Sequence, residues 1–313
     1  MDMSENDLLL EAFGSSGGDR EVFEDLEVAH LLAVEHRILS ARQVQGLKVD
    51  TEETPHGIVA RIRVAEDVRI SNPVHLCFGV VHSEGLQQIE MDIVLEPYSS
   101  VDFIAHCLFP NAEKVRHAMI ARVEIGEGAR LRYNETHVHG PQGGVEVVPK
   151  SQVQVGEGGR FNSEFNLTSG RVGSLDMDYT ITGYADSVTE LIARVSGSGS
   201  DMIKIREKIV LEGENSRGLI KSRIALRDHA SAEIIGSTSG NAAGARGHVD
   251  CMELVRDQAV ARAVPIVNVT HPLAKVTHEA AIGTVDQRQL ETLLAHGLSP
   301  DEAVDVIIRG VLR

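Results

Sequence analysis

The stretch Val123–Tyr133, VEIGEGARLRY, decides the fold, because thirty residues later the chain repeats it as VQVGEGGRFNS. The turn glycines of the two copies coincide, Gly126 with Gly156 and Gly128 with Gly158. Short apolar strands separated by turns at a fixed period are typical of a solenoid. One such unit cannot bury its own apolar side, so neighbouring units must stack.

Looser copies of the same pattern continue along the chain. Their turn positions are Gly183, Gly213, Asp228 and Asp257, which gives a unit of about 15 residues or twice that. An ordinary β-sandwich with coincidental turns is the alternative. The regular spacing favours a mainly β protein built as a β-helix.

Helical patterns flank the repeats. Apolar residues recur at spacings of three and four over residues 19–45, and we expect a helix there. Near the C-terminus, Asp286 is a candidate helix cap, and Ser299 with Glu302 forms the capping box of a second helix. The predicted order is a helical segment (1–46), a β-helix core (47–277) and a helical hairpin (278–313).

Net charge and composition narrow the classes of function. The 313-residue chain has 30 basic and 46 acidic residues, a formal net charge of −16. An acidic surface disfavours nucleic acid and anionic membranes as partners, because phosphate recognition needs clustered Lys and Arg. The start of the chain lacks the pattern of a signal peptide, and no apolar run approaches the ~20 residues of a membrane span. We therefore expect a cytoplasmic protein.

Two further observations bound the chemistry. The three cysteines are too few for a disulfide framework and are expected to be reduced thiols. The glycines of residues 213–218 have the spacing of a phosphate-binding loop, but Leu219 stands where that loop requires Lys. We therefore expect no nucleotide to bind this chain.

Soft and borderline metal donors make up the remaining candidate site. His248, Asp250 and Cys251 lie about one double repeat before His278 and Glu279. Strands one turn apart in a solenoid lie ~5 Å from each other, so these five side chains could converge near the C-terminal end. Thiolate, imidazole and carboxylate together suit iron, an iron–sulfur cluster or zinc.

Other donors occur earlier in the repeats. Cys77 and Cys107 are expected to be core residues, with ligation at a different site as the alternative. Glu135, His137 and His139 alternate on a predicted strand and therefore share one face. That geometry suits metal ligands, although a row of exposed polar residues is the commoner explanation.

The C-terminal third carries a family resemblance. The runs GHVDC (247–251), VTHEAA (276–281) and GLSPDEA (297–303) resemble the C-terminal signature of the SufB/SufD family of iron–sulfur cluster assembly proteins. His296 stands where that signature usually has Arg. The resemblance is best over residues 200–313 and continues more weakly towards the N-terminus.

The resemblance implies a right-handed parallel β-helix that pairs with a second copy or a paralogue, and C-terminal helices that dock a SufC-type ATPase. It also implies functional roles for His278 and Glu279. The functional cysteine of the family aligns nearer to Asp250, so Cys251 would act with a different geometry. The apolar residues expected to contact the ATPase are Leu290, Leu294, Leu298, Val304, Ile307 and Ile308.

The function implied is that of a non-enzymatic scaffold. A transient cluster, expected to be of the 4Fe–4S type, would assemble on Cys251 and its neighbours and pass to client apo-proteins. The alternative within the family is a SufD-like structural or regulatory partner without its own cluster. A polysaccharide-active β-helix enzyme is disfavoured, because aromatic residues make up 4% of the chain and Trp is absent.

Overall fold

A computed structural model describes residues 4–312, in which two parallel sheets form a β-solenoid of about 8 turns. From the strand at Gly57–Val64 onward, successive strands alternate between the sheets, and each pairs in parallel with the strand one turn away. The four strands up to Val64 form two antiparallel hairpins, one at the end of each sheet. The predicted fold class, a mainly β solenoid with helices towards each end, is confirmed. Inward-facing Val, Ile, Leu and Ala fill the space between the sheets.

The two sheets are called A and B. Sheet A contains β1 (His30–Val34), β2 (Arg37–Arg42), β5 (Val74–Gly79), β7 (Ser100–Phe109), β9 (Arg130–His139), β11 (Arg160–Ser169), β13 (Val188–Gly197), β15 (Arg217–Leu226), β17 (Arg246–Val255) and β19 (Lys275–Gly283). Sheet B contains β3 (Leu47–Thr54), β4 (Gly57–Val64), β6 (Glu84–Leu95), β8 (Lys114–Ile125), β10 (Val145–Val155), β12 (Gly173–Gly183), β14 (Met202–Leu211), β16 (Ser231–Gly240) and β18 (Val260–Val269). The helices are α1 (Glu5–Ser15), α2 (Gln287–Ala295) and α3 (Pro300–Val311), with a 3₁₀ turn at Arg20–Phe23.

The thirty-residue repeat in the sequence is the register of the solenoid. Val153 on β10 pairs with Val123 on β8, and Phe161 on β11 pairs with Leu131 on β9. The turn between the sheets repeats as well, because Gly158 adopts φ +64° and Asn215, two turns later, adopts φ +56°. Gly and Asn reach this left-handed region at low cost, so the turn residues set where each strand ends.

The predicted helix over residues 19–45 is wrong for most of its length. The chain forms α1 and the short 3₁₀ turn, and then the antiparallel hairpin of β1 and β2. All five residues of β1 are buried, so their apolar run matches a helical and an extended pattern equally well. Pairing with β5 decides the outcome, because β1 continues sheet A by one strand.

The helices lie on the outer face of sheet A and leave the last turn of the solenoid open. On α1, Leu9 and Phe13 pack with Cys77 and Leu108. The α2–α3 hairpin buries apolar side chains against β15 and β17, and both predicted caps are confirmed. Eight of the nine residues of β19 are exposed, so no other element within residues 4–312 covers this edge.

Candidate functional site

Cys77 and Cys107 lie on opposite faces of sheet A. Cys77 faces outward beneath α1, in the cluster formed with Leu9 and Phe13. Cys107 faces inward and belongs to the main core. Both thiols are buried, and burial raises the pKa of each. Cys77 is therefore packed as a small apolar side chain, whereas Cys107 has polar neighbours, described below.

The five C-terminal candidate ligands all lie near the open end, but on two faces of sheet A. Cys251 is buried and inward-facing, and His278 follows the inward alternation on the neighbouring strand. Asp250 pairs in register with Glu279, and both lie on the outer face with His248. The structure therefore places Cys251 and His278 on the same face of neighbouring strands, as diagonal neighbours, and separates them from the other three.

Asp250 lies in a different chemical setting from Cys251. Both oxygens of the Asp250 carboxylate accept hydrogen bonds from Arg223, at 3.0 and 2.5 Å. These hydrogen bonds lower the pKa of Asp250. Asp250 is thus a paired surface carboxylate on β17 rather than a free donor pointing towards the thiol.

Cys251 lies in a buried polar group inside the solenoid, near its open end. The Ser222 hydroxyl donates to its Sγ at 3.2 Å, and burial raises the pKa of the thiol to about 11. Two inward-facing carboxyl groups, Glu207 and Glu253, are also buried. Desolvation raises their pKa values to about 8 and about 7, so near pH 7 Glu207 is mostly neutral and Glu253 is about half ionised.

The predicted ATPase-contacting residues divide between packing and surface. Val304, Ile307 and Ile308 are buried against Ala225 and Leu254 of the solenoid. They hold the hairpin in place, which leaves them unavailable to a partner unless the hairpin moves. Leu290 and Leu298 are half-buried, and Leu294 is exposed.

A buried group of potential metal ligands lies in the middle of the solenoid. One donor atom from each of Cys107, His117 and His137 lies within 4.8 Å of the other two. Cys107 and His137 are direct neighbours on β7 and β9, and His117 approaches from β8 in the opposite sheet. Glu135 completes the group, since its Oε1 lies 2.7 Å from His137 Nε2 and 3.8 Å from Cys107 Sγ.

Burial controls the protonation of this group. It lowers the pKa values of His117 and His137 to about 3 and lowers that of His139 well below its usual range. Burial also raises the pKa of Glu135 to about 7. Neutral imidazoles are the form that binds metal ions, so the interior keeps these histidines in a ligating state.

Part of this group could be predicted from the sequence. The alternation of Glu135, His137 and His139 correctly predicts one shared face, but the favoured interpretation as an exposed polar row is wrong, because all three side chains are buried. His117 was missed, since it lies on the other sheet. A pairing between sheets cannot be seen from the spacing along one strand.

Comparisons with known proteins agree on the family. Residues 79–311 match the family model described as SUF system FeS cluster assembly, SufBD core domain. A protein of Methanocaldococcus jannaschii named as an iron-sulfur cluster assembly SufBD family protein is 37% identical over 90% of this chain and 89% of its own length. A Pyrococcus horikoshii protein of the same description is 33% identical over 99% of this chain and 94% of its own length. An Archaeoglobus fulgidus relative is 27% identical over 80% of this chain and 67% of its own.

Proposed function

The chain belongs to the SufBD family of iron–sulfur cluster assembly proteins, and we propose that it is the scaffold on which a cluster is built and from which it is transferred. In this proposal the cluster is cargo, expected to be of the 4Fe–4S type and passed to client apo-proteins. The chain itself binds no nucleotide and catalyses no bond turnover.

The open end of the solenoid is the observation that carries this proposal. The last two strands, β18 and β19, end the two sheets there, and their inward-facing residues Val267 and Ile282 are 40% and 49% exposed. Exposed apolar rows at an unpaired sheet edge favour pairing with another chain. Cys251 and His278 lie on this same inward face, directly beside the edge.

We infer that the partner at this edge is a second copy of the chain. Two copies meeting there would bring two sets of Cys251 and His278 into one interface. Glu279 on the outer face would contribute only at the rim of such an interface. A heterodimer with a paralogue would use the same edge, and the composition of the purified complex distinguishes the two cases.

The burial of the Cys251 thiol is a reason to expect an external energy source. Iron binds the thiolate, so the Cys251 thiol must lose its proton, and burial opposes this loss by raising the pKa of the thiol. Opening of the edge would admit water and iron and make the loss easier. We propose that a SufC-type ATPase in the cytoplasm docks on the α2–α3 hairpin and drives this opening. The hairpin suits the role because it packs directly on β15 and β17, the strands that carry Ser222 and Cys251.

The test is anaerobic loading of the purified complex with iron and sulfide, followed by iron, acid-labile sulfide and absorption analysis. Cys251→Ser is expected to abolish the cluster, and Cys77→Ser is the matched control because its thiol is equally buried on the other face. A cluster that survives Cys251→Ser would refute this site. A bound ATPase without any cluster in the wild type would favour a structural partner instead.

A further inference from the structure

The buried group around Cys107 lies far from the proposed cluster site. Cys107 is on β7 and Cys251 is on β17, which are five strands apart in sheet A. At ~4.8 Å per strand, the separation is about 24 Å. Any ligand held at Cys107 is therefore separate from a cluster at the open end.

His117 contributes to this group and has one buried ring nitrogen without a hydrogen-bond partner among residues 4–312. The side-chain nitrogen of Gln87 donates to the carbonyl oxygens of Glu35 and Gly79, which fixes Gln87 Oε1 as an acceptor towards His117 Nδ1 at 3.1 Å. Nδ1 of His117 therefore carries the proton. Its Nε2 is left as a buried lone pair, and no hydrogen-bond partner for it exists among residues 4–312. A buried acceptor without a partner is costly unless something else binds it.

Hydrogen bonds also decide which ring nitrogen of His137 carries the proton. The backbone carbonyl of Arg171 accepts from His139 Nδ1 at 3.3 Å, so His139 Nε2 accepts from His137 Nδ1 at 3.3 Å. The lone pair of His137 is therefore on Nε2, which faces Glu135 Oε1 at 2.7 Å. A lone pair and a carboxylate repel, so the 2.7 Å contact requires a proton between them, and the proton lies on Glu135.

We propose that Cys107, Glu135, His117 and His137 bind one divalent transition-metal ion of the Fe²⁺ and Zn²⁺ class inside the solenoid. The donor set of one sulfur, one oxygen and two nitrogens suits these ions in tetrahedral geometry. Bond lengths of about 2.0–2.3 Å place tetrahedral ligands about 3.3–3.8 Å apart. The donor atoms of the two histidines and the cysteine, within 4.8 Å of one another, need to move by about 1 Å to reach that spacing.

The charges of the complex balance. On binding, the Cys107 thiol and the Glu135 carboxyl each lose one proton to solvent, and both imidazoles stay neutral. The two negative charges then neutralise the divalent ion, which allows the complex to remain in an apolar interior. Outer hydrogen bonds from Gln87 and His139 hold the two imidazoles in the ligating orientation, as at known metal sites.

The choice of iron over zinc rests on the proposed function, whereas the metal site itself does not. An iron(II) ion held apart from the cluster would serve as a store for cluster assembly. Metal analysis of protein purified anaerobically distinguishes the two ions. Loss of the cluster in Cys251→Ser with this ion retained would show that the two sites are independent.

The direct test is titration of the metal-stripped full-length chain with Co²⁺ as a spectroscopic probe, then with Fe²⁺ under anaerobic conditions. The wild type is expected to bind one ion per chain with a sulfur-to-metal absorption band. Cys107→Ala should remove that band, and His117→Gln should weaken binding at least tenfold. The matched controls are Cys77→Ala and His106→Gln, which lie on the outer face of the same sheet, Cys77 buried and His106 half-buried, and both should bind like the wild type.

Glu135→Gln separates ligation from folding. The Gln amide can donate to His137 Nε2 as the protonated Glu135 does, so thermal stability of the metal-free protein should be unchanged, while metal affinity should fall at least tenfold. Folded wild type that binds no Co²⁺ or Fe²⁺ would overturn the proposal. Equal affinities in the wild type, Cys107→Ala and Glu135→Gln would overturn it as well.

Discussion

Replacing the buried Glu207 with Gln should change how the stability of the protein depends on pH. Glu207 faces inward on β14, is 3% exposed, and has a carboxyl oxygen, Oε2, without a hydrogen-bond partner among residues 4–312. Desolvation raises its pKa from 4.5 to about 8. The folded protein therefore holds a proton that the unfolded chain releases above pH 4.5.

The sign and size of the effect follow from proton linkage. The contribution of Glu207 to stability is fully present below pH 4.5 and is lost as the pH rises to about 8. At about 1.36 kcal/mol per pH unit, the loss amounts to about 3 kcal/mol at pH 7. Gln does not titrate, so Glu207→Gln should match the wild type near pH 4.5 and exceed its free energy of unfolding by about 3 kcal/mol at pH 7.

Urea denaturation of the full chain at several pH values between 4.5 and 8 measures this difference. Glu90→Gln, at an exposed position on β6, is the matched control and should follow the wild-type curve. If the free energy of unfolding depends on pH in the same way for Glu207→Gln and the wild type, the reasoning is refuted. That result would show that Glu207 is ionised in the folded protein or that its carboxyl reaches water.

Three further substitutions test the turns and the hairpin. Gly158→Asn should change the free energy of unfolding by less than about 1 kcal/mol, because Asn215 adopts the same left-handed backbone in an equivalent turn. Gly213→Ala should lower the free energy of unfolding by more than about 3 kcal/mol, because a Cβ there would lie 1.9 Å from the backbone nitrogen of Ala185. The denaturation midpoints of the two glycine variants and the wild type measure both effects. Ile307→Ala should cost about 2–4 kcal/mol of local stability and expose the α2–α3 hairpin to limited proteolysis. An unchanged cleavage pattern would contradict the packing role of the hairpin.

The repeating part of the fold could be predicted because its signal is local. Glycines at 126 and 156 end equivalent strands, and their spacing equals one turn of the solenoid, so the register follows directly. The C-terminal caps at Asp286 and Ser299 could also be predicted, because a cap depends on a few adjacent residues. The N-terminal hairpin could not, because the pairing of β1 with β5 across 45 residues decides it.

The interior groups could be predicted only in part, for a related reason. Periodicity shows which side chains share a face but not which face is inside when that face carries Glu and His. The meeting of Cys107 with His117 depends on the two sheets facing each other. Similarly, the shift of Glu279 to the face opposite Cys251 follows from the register of β17 with β19, and spacing alone leaves that register open.

The most direct test of the proposed scaffold is whether the cluster follows the pairing of two chains at the open end. Ile282→Lys places a charge on the exposed inward face of β19, where it should block pairing without disturbing the core. Size-exclusion chromatography under anaerobic conditions, with iron and acid-labile sulfide measured across the peaks, compares this variant with the wild type. We predict that the wild-type cluster elutes with the dimer and that Ile282→Lys is a folded monomer without a cluster. A folded Ile282→Lys monomer that retains its full complement of iron and sulfide would contradict the proposed site between two copies.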